Sequence, residues 1–262
     1  MIEKEELLQR VNRLQKVMQK NECGAMLIFQ NVDLYYFSGT MQSAYLYIPA
    51  DREPVLFCRK SIKRAEEECP WTVIPAKNPG VMPRELDNLG MPMVNRIALE
   101  FDVLPVSIFL NCRKIFGGAE FVDGSGWIKE LRSIKSASEI SMLKFAGIKM
   151  AEVFSRIPGV IKKGMTEIEG AAELEKIARL TLHEGIIRLR GYNQELFFGH
   201  LLSGPSGAEF SFNDGAAAGL GLGPFFPQGC SQKTIGVNEP VVLDYVGIYN
   251  GYQVDQTRIA VI

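Results

Sequence analysis

Long hydrophobic runs are missing from this chain of 262 residues. No apolar stretch approaches the ~18–20 residues that cross a bilayer. The first residues, Met-Ile-Glu-Lys-Glu-Glu, lack the basic segment and apolar core of a signal peptide. Neither sign of charge dominates, since 29 basic and 30 acidic residues give a net charge of −1. We therefore expect neither a membrane nor a nucleic acid as a partner.

Cysteine is sparse and unpatterned in this sequence. The five cysteines form no Cys-x-x-Cys pair, and they are Cys23, Cys58, Cys69, Cys112 and Cys230. An odd, scattered set of this kind indicates buried thiols in a reducing compartment, so we expect a cytoplasmic protein. Apolar residues make up 47% and charged residues 23% of the chain, as is ordinary for a globular protein of one large or two medium domains.

The first half of the chain alternates between helical and strand-like patterns. Apolar residues with helical spacing predict a helix over 3–20. Further helices are predicted over 61–69 and 105–116, and strands over 25–29, 44–48, 54–58, 71–74 and 96–99. Such alternation predicts an α/β domain with a mixed sheet. We place it at residues 1–130, with a boundary zone at 121–127 that leads into a connecting helix.

Two capping boxes open helices in the second half, residues 131–262. Ser136 with Glu139 begins one helix, and Thr166 with Glu169 begins another that should run to about Glu184. Strand and loop patterns follow to the end of the sequence. The glycine-rich stretch 219–223 lacks the strand and helix that flank a phosphate loop, so we interpret it as a surface loop or lid.

A β-hairpin is predicted near the carboxyl terminus, where Asn250-Gly251 separates two apolar runs. This dipeptide favours a type I′ turn because both central residues need a positive φ. With those two residues as the loop, Val246 faces Asp255 and Asp244 faces Thr257. Because side chains alternate along a strand, Asp244 and Asp255 share a face as diagonal neighbours, roughly 7–8 Å apart at Cα.

Two aspartates with this spacing can serve either of two roles. They can be solvated side chains on the outer face of the hairpin, which is the usual state of acidic residues. They can also hold a pair of divalent cations about 3.5–4 Å apart. Asp is depleted in strands, and a carboxylate within Val-Val-Leu-Asp-Tyr-Val needs a cation or partner. We therefore favour Asp244 and Asp255 as metal ligands.

Several segments together resemble the pita-bread metallopeptidases, the family of Xaa-Pro aminopeptidase, prolidase, methionine aminopeptidase and creatinase. The matching motifs are Asp244 with Gly251-Tyr252-x-x-Asp255-x-Thr257-Arg258, Leu131-Arg132-Ser133-Ile134-Lys135-Ser136 with Glu139, Lys163-Gly164-Met165-Thr166-Glu167, Ser203-Gly204-Pro205-Ser206-Gly207-Ala208, and Asn31 with Leu34-Tyr35-Tyr36-Phe37-Ser38-Gly39. The resemblance covers essentially the whole chain. It implies a creatinase-type α/β N-terminal domain followed by an α+β pita-bread catalytic domain.

The resemblance also implies a function and a set of ligands. Members of the family use two divalent ions (Mn, Zn, Co or Fe) and cleave the residue before proline from a short peptide. The resemblance also implies a homodimer. Asp244 and Asp255 match its first two metal ligands. The remaining His and two Glu have no positions in these 262 residues, and Phe210-Ser211-Phe212 stands where family peptidases carry a histidine. We expect a truncated domain with little hydrolysis, in which this chain alone can lack bound metal.

Alternative functions follow from the same resemblance. One is a non-peptide hydrolase or lyase of the creatinase kind acting on a small molecule, since Ser211 departs from the peptidase pattern. Another is a catalytically silent binding module on the same fold.

The two histidines have separate expectations. His200 precedes a strand and is our candidate for proton transfer, with a structural role as the alternative. His183, late in a predicted helix, is interpreted as a cation at the helix carboxyl end.

Overall fold

The computed structural model describes residues 2–191, 194–210, 215 and 217–262. The chain packs as two compact units. The first unit comprises Met1–Lys135 and Leu189–Gln194, and the second comprises Ser136–Arg188 and Glu195–Ile262. The division between Lys135 and Ser136 lies five residues beyond the predicted boundary at 130. The assignment of Leu189–Gln194 to the first unit has no counterpart in the sequence prediction.

The first unit contains a six-stranded mixed sheet in the order β4-β3-β2-β1-β5-β6. The strands are β1 (Ala25–Ile28), β2 (Ala44–Pro49), β3 (Val55–Cys58), β4 (Thr72–Pro75), β5 (Arg96–Leu99) and β6 (Glu120–Asp123). β2 runs antiparallel to both of its neighbours, whereas β1, β5 and β6 are parallel. The helices are α1 (Lys4–Lys20), α2 (Asn31–Ser38), α3 (Ile62–Glu68), α4 (Met82–Asn88), α5 (Val106–Ile115) and α6 (Ser125–Ser133).

Burial explains why the apolar runs of the first unit form strands. All four residues of β1 and all four of β3 are buried, as is typical of strands covered on both faces. The amphipathic stripe predicted for α1 is buried at Leu7, Val11, Leu14 and Met18. The predicted mixed α/β sheet is therefore confirmed. Two short helices, α2 and α4, and the edge strand β6 were not predicted.

The described residues of the second unit form three α-helices and a three-stranded antiparallel sheet. The helices are α7 (Ala137–Phe154), α8 (Ile157–Val160) and α9 (Glu167–Leu180), and the strands are β7 (Gly199–Ser203), β8 (Pro240–Tyr249) and β9 (Tyr252–Val261), in the order β7-β8-β9. Both predicted capping boxes are present. One face of the sheet packs on α7 and α9 through residues such as Leu201, Leu243 and Tyr245.

Helix α9 ends at Leu180, four residues before the predicted end. Leu182 has a φ of 73° and donates its N–H to the Arg179 carbonyl oxygen, while the His183 N–H bonds to the Ala178 carbonyl oxygen. This pair of hydrogen bonds is a Schellman motif. The prediction overran because this motif normally has glycine at the left-handed position, and here it has leucine.

In the described ranges of the chain, no helix combines the length and apolarity that crossing a membrane requires.

Candidate metal centre

The hairpin that carries the candidate ligands has the predicted register. β8 and β9 pair so that Tyr249 faces Tyr252, Val246 faces Asp255, and Asp244 faces Thr257. Asn250 and Gly251 form the loop with φ values of 53° and 73°, as a type I′ turn requires. The Gly251 N–H also lies 3.2 Å from both carboxylate oxygens of Glu184, which ties the turn to the segment after α9.

Asp244 and Asp255 lie on the face of the sheet opposite the core. Leu243 and Tyr245, the neighbours of Asp244 along β8, point into the core with α7 and α9, so Asp244 points away from it. Asp244 is half-buried and Asp255 is exposed. The hydroxyl of Thr257 donates a hydrogen bond to Asp244 Oδ1. The two carboxylates therefore occupy one surface, with a threonine fixing the orientation of the first.

The two carboxylates influence each other electrostatically. Partial burial raises the pKa of Asp255, and the nearby negative charge of Asp244 raises it further, while the peptide group of Gln256 opposes both effects. Like charges held this close are unfavourable unless a cation or proton lies between them. The oxygen donors of Asp244 and Asp255 thus fit a divalent cation as part of a ligand set.

His200 belongs to the same row of side chains. It pairs directly with Asp244 across β7 and β8, so that His200, Asp244 and Thr257 line up over three adjacent strands. The imidazole is 6% exposed. Burial lowers its pKa, and the charge of Asp244 acts in the opposite direction. A buried imidazole beside a carboxylate is a suitable proton acceptor.

One side of the His200 ring is covered by a glycine. A Cβ atom added to Gly229 would lie 3.3 Å from His200 Nδ1, and Gly229 has a φ of 87°. Nδ1 is buried, and no hydrogen-bond partner for it exists among the residues that the structure describes. A side chain at position 229 would therefore crowd the Nδ1 side of the ring.

The described residues do not complete a metal site. Within 2–191, 194–210, 215 and 217–262, no group of three His, Cys, Asp or Glu side chains is arranged to hold a metal ion. Asp244 and Asp255 are accordingly a partial donor set. Ser211, where the resemblance implies a histidine in family peptidases, lies outside the described residues, as does Phe212.

Glu167, in the first turn of α9, anchors the end of β7 to this helix. The sequence did not predict this contact. The Glu167 carboxylate is fully buried and accepts hydrogen bonds from the N–H and hydroxyl of Ser203, at 2.7 and 3.1 Å, and from the hydroxyl of Ser206. The N–H and hydroxyl of Ser231 bond to the other oxygen at 3.0 and 2.6 Å. The clue in the sequence was a glutamate in the first turn of α9 with serines downstream, but their convergence requires the fold.

His183 is not the helix-end cation that the sequence suggested. It is 2% exposed, its Nδ1 accepts the Gly185 N–H at 2.9 Å, and its Nε2 lies 2.8 Å from the Val246 carbonyl oxygen. Nδ1 as acceptor makes Nε2–H the donor, so the ring is neutral. Burial lowers its pKa accordingly. The interpretation failed because α9 ends before His183 and the chain folds the ring into the core.

Comparison with known proteins accounts for both units. Residues 10–134 match the family model of the Creatinase/Prolidase N-terminal domain, and residues 141–262 match that of Metallopeptidase family M24. A creatinase-type α/β domain followed by an α+β pita-bread domain defines the class of this protein. The chain thus carries a Creatinase/Prolidase N-terminal domain followed by a domain of Metallopeptidase family M24.

Individual relatives agree with this assignment. The Xaa-Pro dipeptidase of Pyrococcus furiosus is 26% identical over 259 residues, which cover 97% of this chain and 65% of that protein. The X-Pro aminopeptidase of Thermotoga maritima has a TM-score of 0.74 at 24% identity, over 96% of this chain and 65% of its own. The Xaa-Pro dipeptidase of Bacillus anthracis has a TM-score of 0.77 at 22% identity, over 98% of this chain and 65% of its own. The chain spans about 65% of the length of the curated relatives it matches.

Proposed function

We propose that this chain is part of a metal-dependent hydrolase that removes the residue before proline from short peptides. The observation that carries the proposal is the pair Asp244 and Asp255, held on one face of a hairpin and close enough for one charge to raise the pKa of the other. Membership of family M24 and the Xaa-Pro specificity named for relatives support the substrate class.

Each site residue has a role in this proposal. Asp244 and Asp255 hold two divalent ions, which are Mn, Zn, Co or Fe. Thr257 fixes the orientation of Asp244. When bound, such ions supply an acidified water and polarise the scissile carbonyl. His200 accepts or returns a proton. The 262 residues alone should hydrolyse little, since the described part of the chain places no third ligand beside the two aspartates.

The setting of the protein is also a proposal. All five cysteines are buried free thiols, which supports a reducing, cytoplasmic location. The near-neutral net charge of −1 supports a small peptide rather than a polyanion as substrate. Homodimerisation follows from the family alone, and light scattering coupled to size-exclusion chromatography measures it directly.

Metal binding tests the ligand assignment. Equilibrium dialysis against Mn²⁺, followed by metal analysis, is applied to the product of the whole reading frame and to its Asp244→Asn, Asp255→Asn and Glu173→Gln variants. Each aspartate variant should lose roughly tenfold or more in affinity. Glu173→Gln should bind as wild type because this glutamate lies on α9, exposed and paired with Lys176. Equal binding by all four proteins refutes the assignment.

Activity tests the reaction class. The product of the whole reading frame is assayed with Xaa-Pro dipeptides, longer peptides with proline at the second position, and guanidino-acid substrates of the creatine kind. Release of the amino-terminal residue before proline, abolished by Asp244→Asn, supports the proposal. Turnover of the guanidino acids alone assigns the protein to a non-peptide hydrolase, and metal-independent peptide binding without turnover assigns it to a binding module.

A further inference from the structure

A cluster of carboxyl groups lies at one edge of the sheet in the first unit. β1, β5 and β6 are parallel, so their carboxyl ends share this edge. β1 lies between β2, which follows it in the sequence, and β5. In α/β sheets such a switch point is where ligands bind. Glu100 and Asp102 follow β5 here, and Asp33 lies in the first turn of α2.

The guanidinium of Arg190 is seated among these carboxyl groups. Its Nε lies 2.6 Å from Asp33 Oδ2, and its Nη1 donates to Asp102 Oδ2. The Arg190 side chain is 7% exposed and that of Asp33 is fully buried. Arg190 belongs to Leu189–Gln194, the short segment that packs with the first unit although the residues on both sides pack with the second. The arginine therefore enters this edge from a distant part of the sequence.

The charges around Arg190 are arranged to receive it. The Asp102 pKa is held below its usual range, against the effect of burial, by hydrogen bonds from Arg190, Ser125 and Lys129. Burial, the charge of Asp33 and a hydrogen bond with the Asp33 side chain together raise the pKa of Glu100 to about 8, so this carboxyl keeps its proton at neutral pH. Asp33 and Asp102 are then the groups that face the guanidinium.

A second observation concerns the buried polar atoms of this edge. Glu100 Oε2 accepts the N–H groups of Phe29 and Gln30 at 2.7 and 3.0 Å, and the carboxyl group also shares a hydrogen bond with the Asp33 side chain. Arg190 Nη2 is buried, and the described part of the chain supplies it with no hydrogen-bond partner. Among the described residues the edge thus engages two of the three guanidinium nitrogens, through Asp33 and Asp102.

We infer that this sheet edge is a guanidinium-binding site whose resident ligand is the Arg190 side chain. Asp33 and Asp102 come from different elements and engage different nitrogens of one planar group. A guanidinium meets both acceptors at once, whereas an ammonium is a point charge and meets one. The site anchors the chain ten residues before His200, independently of any metal. When the Arg190 side chain is removed, the site accepts a free alkylguanidinium ion.

Removal of Arg190 leaves both acceptors with a cation. Arg132 Nη1 lies 2.8 Å from Asp33 Oδ1, and Lys129 Nζ lies 3.0 Å from Asp102 Oδ2. These pairs should keep the Arg190→Ala chain folded. Calorimetric titration then compares propylguanidinium, which reproduces the missing side chain, with propylammonium of equal charge. We expect saturable binding of propylguanidinium to Arg190→Ala, at least tenfold weaker binding of propylammonium, and no binding of either to the wild type or to Arg188→Ala.

Binding of propylguanidinium to wild type and Arg190→Ala alike, or to neither, overturns the inference. Arg190→Lys gives an independent decision, including the case in which the alanine variant does not fold. Lysine keeps the charge but lacks the planar, forked donor geometry of arginine. The melting temperature of Arg190→Lys should therefore be lower than that of the wild type by more than about 5 °C. Arg188→Lys should melt as wild type, because the described residues give the Arg188 side chain no ion pair. Equal melting of Arg190→Lys and wild type shows that charge alone suffices.

Discussion

Two buried glutamates differ in how the chain satisfies them. Glu167 receives five hydrogen bonds from serine groups, whereas Glu100 receives two backbone N–H groups on one oxygen and shares a hydrogen bond with the Asp33 side chain. A fully supplied carboxylate tolerates burial, and a partly supplied one beside Asp33 retains its proton. The difference gives Glu100 a measurable effect on stability.

We predict that Glu100 makes stability depend on pH. Its folded-state pKa of about 8 lies above the ~4.3 of an unfolded glutamate, so the unfolded chain releases this proton first as pH rises. The contribution of Glu100 is full below the unfolded pKa and is lost as pH rises through the folded pKa. Relative to Glu100→Gln, the wild type should lose up to ~1.4 kcal/mol of unfolding free energy per pH unit in this window.

Urea unfolding at a series of pH values measures this difference. Glu67→Gln, an exposed glutamate on α3 of the same unit, serves as the control and should run parallel to the wild type. A constant offset between Glu100→Gln and wild type across the window would show that Glu100 does not retain its proton.

Single residues of the candidate site were predictable to different degrees. Asp244 and Asp255 could be placed on one face because a two-residue turn fixes the register of both strands, so only local geometry was needed. His200 was proposed as a candidate without a position, since its pairing with Asp244 joins segments more than forty residues apart. Asp33, Glu100 and Arg190 were not recognised at all, because three distant segments supply them.

At the scale of single elements, the turn between β8 and β9 fixes the geometry of the candidate site. Gly251→Ala should destabilise the chain by about 1–2 kcal/mol, because a Cβ is strained at a φ of 73°. Gly159→Ala is the matched control in the same unit, since it lies in α8 with open space around the new methyl group. Chemical unfolding measures both. A neutral Gly251→Ala would show that the turn relaxes into another type.

The first turn of α9 provides a second test. Glu167→Ala leaves five donors from Ser203, Ser206 and Ser231 without their acceptor, so the unfolding free energy should decrease by roughly 3–5 kcal/mol. Glu173→Gln, exposed on the same helix, should stay within about 0.5 kcal/mol of wild type. Urea unfolding monitored by circular dichroism gives both values. A small effect of Glu167→Ala would mean that water satisfies the serines.

Elements with a local signal were predicted well, and those that depend on tertiary packing were not. The two capping boxes and β5 were predicted at their observed positions, since both signals lie within a few residues. Helix α2 was missed because its apolar residues, Leu34, Tyr36 and Phe37, are buried without a helical stripe. The end of α9 was misplaced because a leucine takes the left-handed position there.

At the scale of the whole molecule, β9 presents an open edge. Within the described residues β9 pairs with β8 on one side, and Ile259 and Val261 are 69% and 67% exposed. Exposed apolar strand edges favour association with other chains. Light scattering should therefore show self-association that rises with concentration, and Val261→Lys should reduce it severalfold.

Ile186→Lys controls for the loss of apolar surface. Ile186 is 49% exposed but lies outside every strand, so its replacement should leave self-association unchanged. An equal decrease in both variants would indicate general stickiness instead of edge pairing.

The excursion of Leu189–Gln194 into the first unit limits how this polypeptide can be divided. Division of the gene after the codon for Lys135 would give an amino-terminal fragment in which Asp33 and Asp102 lack Arg190. The other fragment would contain Arg190 without these two carboxyl groups. Recombination that exchanges either half between homologues must therefore preserve a complementary acid and base on opposite sides of the crossover. The two halves should be inherited together.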